Sequence, residues 1–468
     1  MPDINGKLLA RLHCPYCGSG LVVDMGVDNP ASARFSGVLR CACYRYPVLD
    51  GIPILRQASP VGTNRDPIVE LILKGDIAGA IAAATRPLQT QPLQSTGRLR
   101  RAISCMRSLV SGSVESAAPQ PLWSENAFRE TLYALKPRSF ADYLYYRHAN
   151  NSFMSATILI CLLRELGATQ ATAVAGSNGR PTIVLDLCCG IGHTSFLIGA
   201  LFSNLTVIAV DGDFGILRVA QRYICPQAMQ VCLDAELPLP FADDAFDACL
   251  GLDGLHYLRS KVAILKELDR VLRRDSLWLF PHMHNALQSN VAPGVPLSPD
   301  GWERLLEFIP HRIVPESTLI HGFANDDACD LGPVASLALL NGSPSLASVA
   351  TRREGAWCRH EGLSAVLTAP PGLLAFNPIF EVDTSGAGAR LTARWPSNAL
   401  REECALARTV LPDELILDER QVSRAGLSGV TPSVPSSLRE LARRFVVVGL
   451  PPGYRRAAVA GHVTRPRT

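Results

Sequence analysis

No stretch of this 468-residue sequence reaches the about 18 to 20 consecutive apolar residues that a bilayer span requires, and runs such as Ile158 to Leu163 stop far short. Neither a membrane-spanning chain nor a membrane partner is expected. The opening residues MPDINGKLLARLHCPYC hold no basic segment followed by an apolar one, so a secretory leader is not signalled and a cytoplasmic location is predicted. Charge of one sign is scarce as well: 45 basic against 42 acidic residues leave a net +3, without the positive footprint of a phosphate-backbone binder. Lysine is rarer still, at five of those 45 basic residues, which reads as arginine-rich coding bias and carries no function. Basic residues cluster only in Arg86 to Arg107 and in the tail from Arg439, both read as solvated segments. There is no internal repeat and no long low-complexity tract.

What is present is a globular composition, 47% apolar and 19% charged, and roughly 150 residues per domain makes about three domains a soft expectation. Residues 1–56 read as a compact unit that ends in YPVLDGIPIL, where Asp50-Gly51 makes a turn and Pro53 points to an edge or extended strand. Residues 57–138 read as a linker with one helix over Ile68 to Thr85. From residue 139, apolar positions at helical spacing run to Leu166, and from Thr182 strand-like runs alternate with helical ones: TIVLDLCC, TVIAVD, QVCLDA, FDACLGLD and SLWLFPHM. That alternation predicts an α/β fold, a Rossmann-like doubly wound and mostly parallel sheet, over residues 139–285. Residues 286–468 read as an α+β extension that supplies the last sheet strands and a substrate cap. Its candidates are a helix near Trp302 to Phe308, a hairpin around TSGAG, a helix over Asn398 to Ala407, and a capping-box helix start at Ser437 with Glu440.

In VLDLCCGIGHTS the first of these strands ends at Asp186 and passes through Gly190 and Gly192 into a helix, which leaves backbone N–H groups free to meet a nucleotide-type ligand. The next strand ends at Asp211, where a carboxylate can accept from both ribose hydroxyls. A nicotinamide dinucleotide and S-adenosylmethionine both suit this arrangement. The dinucleotide motif needs glycine at position 195, which is Ser195.

The ordered series VLDLCCGIG, VIAVDGDF, CLDAELPLPFADDAFDACLGLDGLHYL and KELDRVLRRDSLWLF, spanning residues 180–285, resembles the motifs of class I S-adenosylmethionine-dependent methyltransferases. The resemblance implies that Asp186, Gly190 and Gly192 surround the methionine part, that Asp211 with Gly212 holds the ribose, and that Asp234 with Ala235 meets the adenine edge. Asp253 and Cys188 complete the implied cofactor set. Cys188 stands where that family usually has glycine, which tightens the loop. Small buried packing is the preferred reading of Cys188 and Cys189.

Ten of the 14 cysteines are scattered in apolar runs and read as buried hydrophobes, but Cys14 and Cys17 form CPYCG, and Cys41 and Cys43 form CAC further along the same small unit. Four thiolates on a structural Zn2+ would fold a unit too small for a large core. The segment resembles the zinc ribbon of Trm112-like proteins, with the departure that CAC has one intervening residue where that family has two. The shorter spacer makes it harder for both thiolates to reach one ion, and a ribbon held by packing alone is the competing reading. His13 is an alternative ligand that adjacency to Cys14 disfavours.

Methyl transfer from a sulfonium is an in-line displacement that needs alignment above all. His256, three residues past Asp253, stands where a general base for an oxygen acceptor would stand, or where a pocket wall would. His282 and His284 in FPHMHN read as residues that orient the acceptor or, with Asp253, bind a metal. Tyr145, Tyr146, Arg147 and His148 read as core or as a cover for the site. Residues 180–285 carry nine basic and twelve acidic residues, a net of minus three, so a small-molecule or biosynthetic acceptor is preferred over nucleic acid. Two alternatives stay open: an rRNA or tRNA methyltransferase that docks RNA through the ribbon, and a non-catalytic scaffold whose ribbon or C-terminal region binds a protein partner.

Overall fold

The computed structural model describes residues 5–29, 32–56, 66–86, 125–164, 182–290, 294–383, 388–418, 422–423, 431–432 and 435–454. In chain order the strands are β1 (Val22–Val27), β2 (Ser36–Arg40), β3 (Arg45–Leu49), β4 (Ile52–Leu55), β5 (Thr182–Leu187), β6 (Leu205–Asp211), β7 (Met229–Leu233), β8 (Phe246–Leu250), β9 (Leu272–His284), β10 (His311–Pro315), β11 (Ala328–Asp330) and β12 (Ser345–Ala350). All but β11 join one sheet in the order β1-β2-β3-β4-β7-β6-β5-β8-β9-β12-β10. From β4 to β9 the neighbours are parallel, and β12 runs antiparallel between β9 and β10.

The parallel strands are apolar along their length because both faces are covered. All six residues of β5 are buried. Val184 belongs to the core on one face with the helices Asn151–Cys161 and His193–Leu201, and Leu185 to the core on the other with the helix Lys261–Val271. That last helix buries Ile264, Leu265, Leu268 and Val271, one stripe at helical spacing. Asn151–Cys161 is instead buried all round, apart from Asn151 at its start. It lies between the sheet and the C-terminal extension.

Two readings of the sequence need correction and two are narrowed. Of the edge or extended strand that Pro53 points to, the structure has an extended strand inside the sheet: β4 pairs with β3 on one side and with β7 on the other. The ladder to β7 uses Ile54 and Leu55, beyond the residue that lacks an N–H, so the proline is accommodated. The helix expected over Ile68 to Thr85 is two, Pro67–Leu73 and Ile77–Thr85, broken at Gly75 and capped separately by Asp66 and Asp76. The last helix begins at Pro435, so Ser437 lies inside it and is not its cap. The strands flanking TSGAG do pair, Phe380–Asp383 with Ala389–Ala393, while the preceding Leu374–Phe376 pairs instead with Val447–Gly449. The rest of the expected linker between residues 87 and 124 lies outside the described residues, as does the tail beyond 454. Among the described residues no helix is long and apolar enough to cross a membrane.

Candidate functional site

The carboxyl ends of the parallel neighbours β7, β6, β5 and β8 lie along one edge of the sheet, the edge at which open α/β sheets bind ligands. Asp186 closes β5 fully buried, its Oδ2 taking hydrogen bonds from Thr194 Oγ1 (2.7 Å) and Ser195 Oγ (2.5 Å), while Oδ1 has no hydrogen-bond partner among the described residues. Ser195, the residue that breaks the dinucleotide motif, thus anchors the strand-end acid. Burial pushes the Asp186 carboxyl up to about 6, against the two hydroxyls that lower it. Asp211 closes β6 and accepts from the backbone N–H of Gly190 (2.9 Å) and of Asp213 (2.9 Å), which ties the loop to the second strand. Burial raises its carboxyl in spite of both bonds.

The two loop glycines do different work. Gly190, at φ +54, has nothing within 4 Å of where a Cβ would stand, so the loop faces open space there. Gly192, at φ +81, caps the helix His193–Leu201, and a Cβ on it would lie 2.4 Å from Cys225 Sγ. Cys188 takes φ +56, the conformation its usual glycine would favour. Burial pushes its thiol up, with Asp211, Asp186 and Asp234 adding to the effect, so it stays protonated and unreactive. The three acids therefore converge on one residue. Gly212 abuts the Leu233 carbonyl, 3.5 Å from its notional Cβ, and this brings the Asp234–Ala235 turn beside Asp211. Arg56, just past β4, donates to the Gly212 carbonyl and, at 3.2 Å, to that of Ala84.

A second polar group adjoins the first. A Cβ on Gly254 would lie 2.8 Å from Cys188 Cβ, so Asp253 sits at the edge of the loop. Its Oδ2 accepts from Tyr143 Oη (2.6 Å) and Arg147 Nη2 (3.2 Å). Its Oδ1 faces His256 Nε2 at 3.6 Å and His282 Nε2 at 4.0 Å. Burial works to raise the Asp253 carboxyl, but His282, Arg147 and Tyr143 together hold it below its usual range. On the far side of His282, Nδ1 lies 2.9 Å from Glu316, whose Oε1 also accepts from Ser155 Oγ at 2.6 Å. Burial alone would lower the His282 imidazole; the Glu316 carboxylate overrides it and holds the value at about 9.

For His256 the sequence allows a base or a wall. Its ring is fully buried, stacked on His284 with centroids 3.7 Å apart, and neither nitrogen has a hydrogen-bond partner among the described residues. Burial, aided by His284, pushes it down to about 3, too weakly basic to draw a proton from a hydroxyl at neutral pH. Its surroundings fit the wall. Of the aromatic stripe, Tyr145 and His148 are core, whereas Arg147 reaches the site. Tyr143 and Glu316 are not singled out by the sequence. Tyr143 lies one helical turn before Arg147, a spacing that could have flagged it, but Glu316 carries no local signal because its partners are 34 and 161 residues away.

In the N-terminal unit the four sulfurs of Cys14, Cys17, Cys41 and Cys43 all lie within 4.8 Å of one another. Cys14 to Cys43 and Cys41 to Cys43 are each 3.6 Å apart, near the about 3.8 Å edge of a sulfur tetrahedron with Zn–S bonds of about 2.3 Å. The one-residue spacer therefore does not keep the last pair apart. Backbone N–H groups of Tyr16 and Cys17 point at Cys14 Sγ, and those of Cys43 and Tyr44 at Cys41 Sγ. Such donors favour thiolate. His13 is not part of the group; its N–H bonds the Pro240 carbonyl and helps seat the unit on the sheet.

Residues 184–275 match the family model described as a methyltransferase domain. Over 118 residues the chain is 35% identical to the 2-phytyl-1,4-naphtoquinone methyltransferase of Synechococcus elongatus, covering 24% of this chain and 51% of that protein. The chain thus spans about half the length of that relative. Over 191 residues it is 27% identical to the malonyl-(acyl-carrier protein) O-methyltransferase of Methylococcus capsulatus, covering 39% of this chain and 68% of that one. Among solved structures, the plantazolicin methyltransferase BpumL in complex with SAH aligns with 49% of this chain and 95% of its own, at 14% identity and a TM-score of 0.33.

Proposed function

We propose that the chain binds S-adenosylmethionine at the ends of β5 to β8 and transfers its methyl group to an acidic oxygen of a small-molecule acceptor. The observation that carries the reading is that Asp211, at the end of β6, holds the backbone N–H of Gly190 at 2.9 Å where the glycine loop faces open space. The fit to the cofactor is chemical: a cationic ligand suits a loop edged by carboxylates, Asp186 buried beneath it and Asp211 and Asp234 nearer the surface, and the Asp211 carboxylate is the acceptor that vicinal ribose hydroxyls would need.

When bound, the cofactor supplies an electrophilic methyl carbon on a sulfonium. The chain's own part is to bind, orient and exclude water. Asp211 and Gly212 would hold the ribose, Asp234 and Ala235 the adenine edge, and Asp186 the loop itself. Arg147 and His282, each about one-tenth exposed, face the acceptor side. A guanidinium there favours an acceptor whose oxygen ionises readily, so no strong base is required. Of the relatives, the malonyl-(acyl-carrier protein) O-methyltransferase is in keeping with an oxygen acceptor, and the naphthoquinone methyltransferase with a small-molecule one. Cys14, Cys17, Cys41 and Cys43 would hold one structural Zn2+ with no open position for catalysis.

The test is incorporation of labelled methyl from S-adenosylmethionine into a panel of hydroquinones, phenols and acyl carboxylates, with total RNA as the comparison. Label in one of the small molecules supports the reading. Label in RNA alone would overturn the acceptor class.

A further inference from the structure

We propose that Asp253, His282 and His284 form a binding site for one divalent transition-metal ion, and that this ion receives the oxygen of the acceptor. A carboxylate oxygen of Asp253 and a ring nitrogen of each histidine lie within 4.8 Å of one another. An ion with bonds of about 2.1 Å holds its ligand atoms about 3 to 3.5 Å apart. His282 Nε2 and Asp253 Oδ1, now 4.0 Å apart, need to close by under about 1 Å.

Each ligand is already aimed. Glu316 takes Nδ1 of His282 and is itself held by Ser155, the carboxylate–histidine pairing that directs Nε2 outward to a metal. Tyr143 and Arg147 both take Oδ2 of Asp253, which leaves Oδ1 turned to the histidines. The plane of His284 is set by His256 stacked 19° from parallel. His256, fully buried beside the cluster, supports it by that stacking. Charge points the same way. Asp253, Glu316 and Glu403 face the group against the guanidinium of Arg147, leaving minus two once an entering ion displaces the proton that Glu316 helps His282 to hold. A divalent ion balances that charge.

Two histidines and one carboxylate leave coordination positions open, the donor set of zinc and non-haem iron sites. The ion would bind the acceptor hydroxyl and lower its pKa, so that the proton passes to water. The oxygen then attacks the methyl carbon, forming O–C while the C–S bond breaks with its electron pair left on sulfur. This role rests on the methyl-transfer reading, but ion binding does not.

The experiment is cobalt titration of the purified full chain after chelator treatment, read by metal content and absorption. One equivalent lacking sulfur-to-cobalt charge transfer is expected, apart from any thiolate-bound cobalt on the four cysteines. His284→Ala and Asp253→Asn should each weaken that equivalent by 100-fold or more with unchanged far-ultraviolet circular dichroism. The milder Glu316→Gln, which keeps the shape, should weaken it about 10- to 100-fold. Absence of that equivalent in the wild type, or its persistence unchanged in all three variants, would overturn the site. If the ion binds but S-adenosylmethionine does not, the site stands and the methyl-transfer reading falls.

Discussion

His282 Nδ1 lies 2.9 Å from both carboxylate oxygens of Glu316, a residue that opens a helix on the far side of β10 and is 1% exposed. The contact joins the C-terminal extension to the end of β9, so the polar group around Asp253 and His282 is built partly by residues beyond 285. Glu316→Ala would strand the Ser155 hydroxyl and the buried face of His282. Removing one partner of a buried pair costs about 3 kcal/mol or more, and urea unfolding should record a loss of that order. Loss below about 1 kcal/mol would show that the pair does not hold the extension in place.

The pH dependence of stability should carry the mark of Asp186. Its carboxyl sits at about 6 in the fold, raised by burial above all, against about 3.9 in an unfolded chain. Between those values the folded chain holds a proton that the unfolded chain has released, so stability falls as pH rises from about 4 to about 6 and levels off above. The full difference is on the order of 3 kcal/mol. Asp186→Asn removes this component. Urea unfolding at both ends of the window, wild type against variant, measures it; identical pH slopes would mean that Asp186 is ionised in both states.

If the four cysteines hold zinc, as proposed, its removal should be felt beside Asp211 as well as in the N-terminal unit. β4 adds to the sheet through Ile54↔Cys232 and Leu55↔Leu233, and Arg56 then bonds the Gly212 carbonyl beside Asp211. Purified protein should contain about one equivalent of zinc in the ribbon. Cys14→Ser should lose it, speed amide exchange in β7 and lower cofactor affinity. Normal exchange in β7 with an empty ribbon would show that packing alone secures the unit.

Cys188→Gly tests the tight loop. The cysteine holds φ +56, which costs an L-residue about 1 to 2 kcal/mol. Glycine relieves that strain and clears space next to Gly190, so cofactor affinity should rise with stability nearly unchanged. A fall in affinity would mean that the cysteine side chain contacts the ligand.

The sheet's parallel strands are legible in the sequence because burial on both faces writes continuous apolar runs between helices, as in TIVLDL and TVIAV. Strands β10 and β12 are not, since HRIVP and SLASVA are short and stand apart, with helix and loop between them. Nor can IPIL reveal that its neighbour is β7, which lies far along the chain, because strand partnering leaves no local mark. The site divides the same way. Asp186, Asp211 and Asp234 are strand-end acids, readable by position. Glu316 and Tyr143 join the site only through the packing of distant helices, and the burial of His256, which bears on the two readings left to it, leaves no mark in the sequence.

The central claim is cofactor binding at Asp211, and calorimetric titration of wild type and Asp211→Ala with S-adenosylmethionine and with NAD tests it most directly. Micromolar binding of S-adenosylmethionine alone, lost in a folded Asp211→Ala variant, is the predicted result. Equal affinity in both proteins, or binding of neither ligand to the wild type, would contradict it.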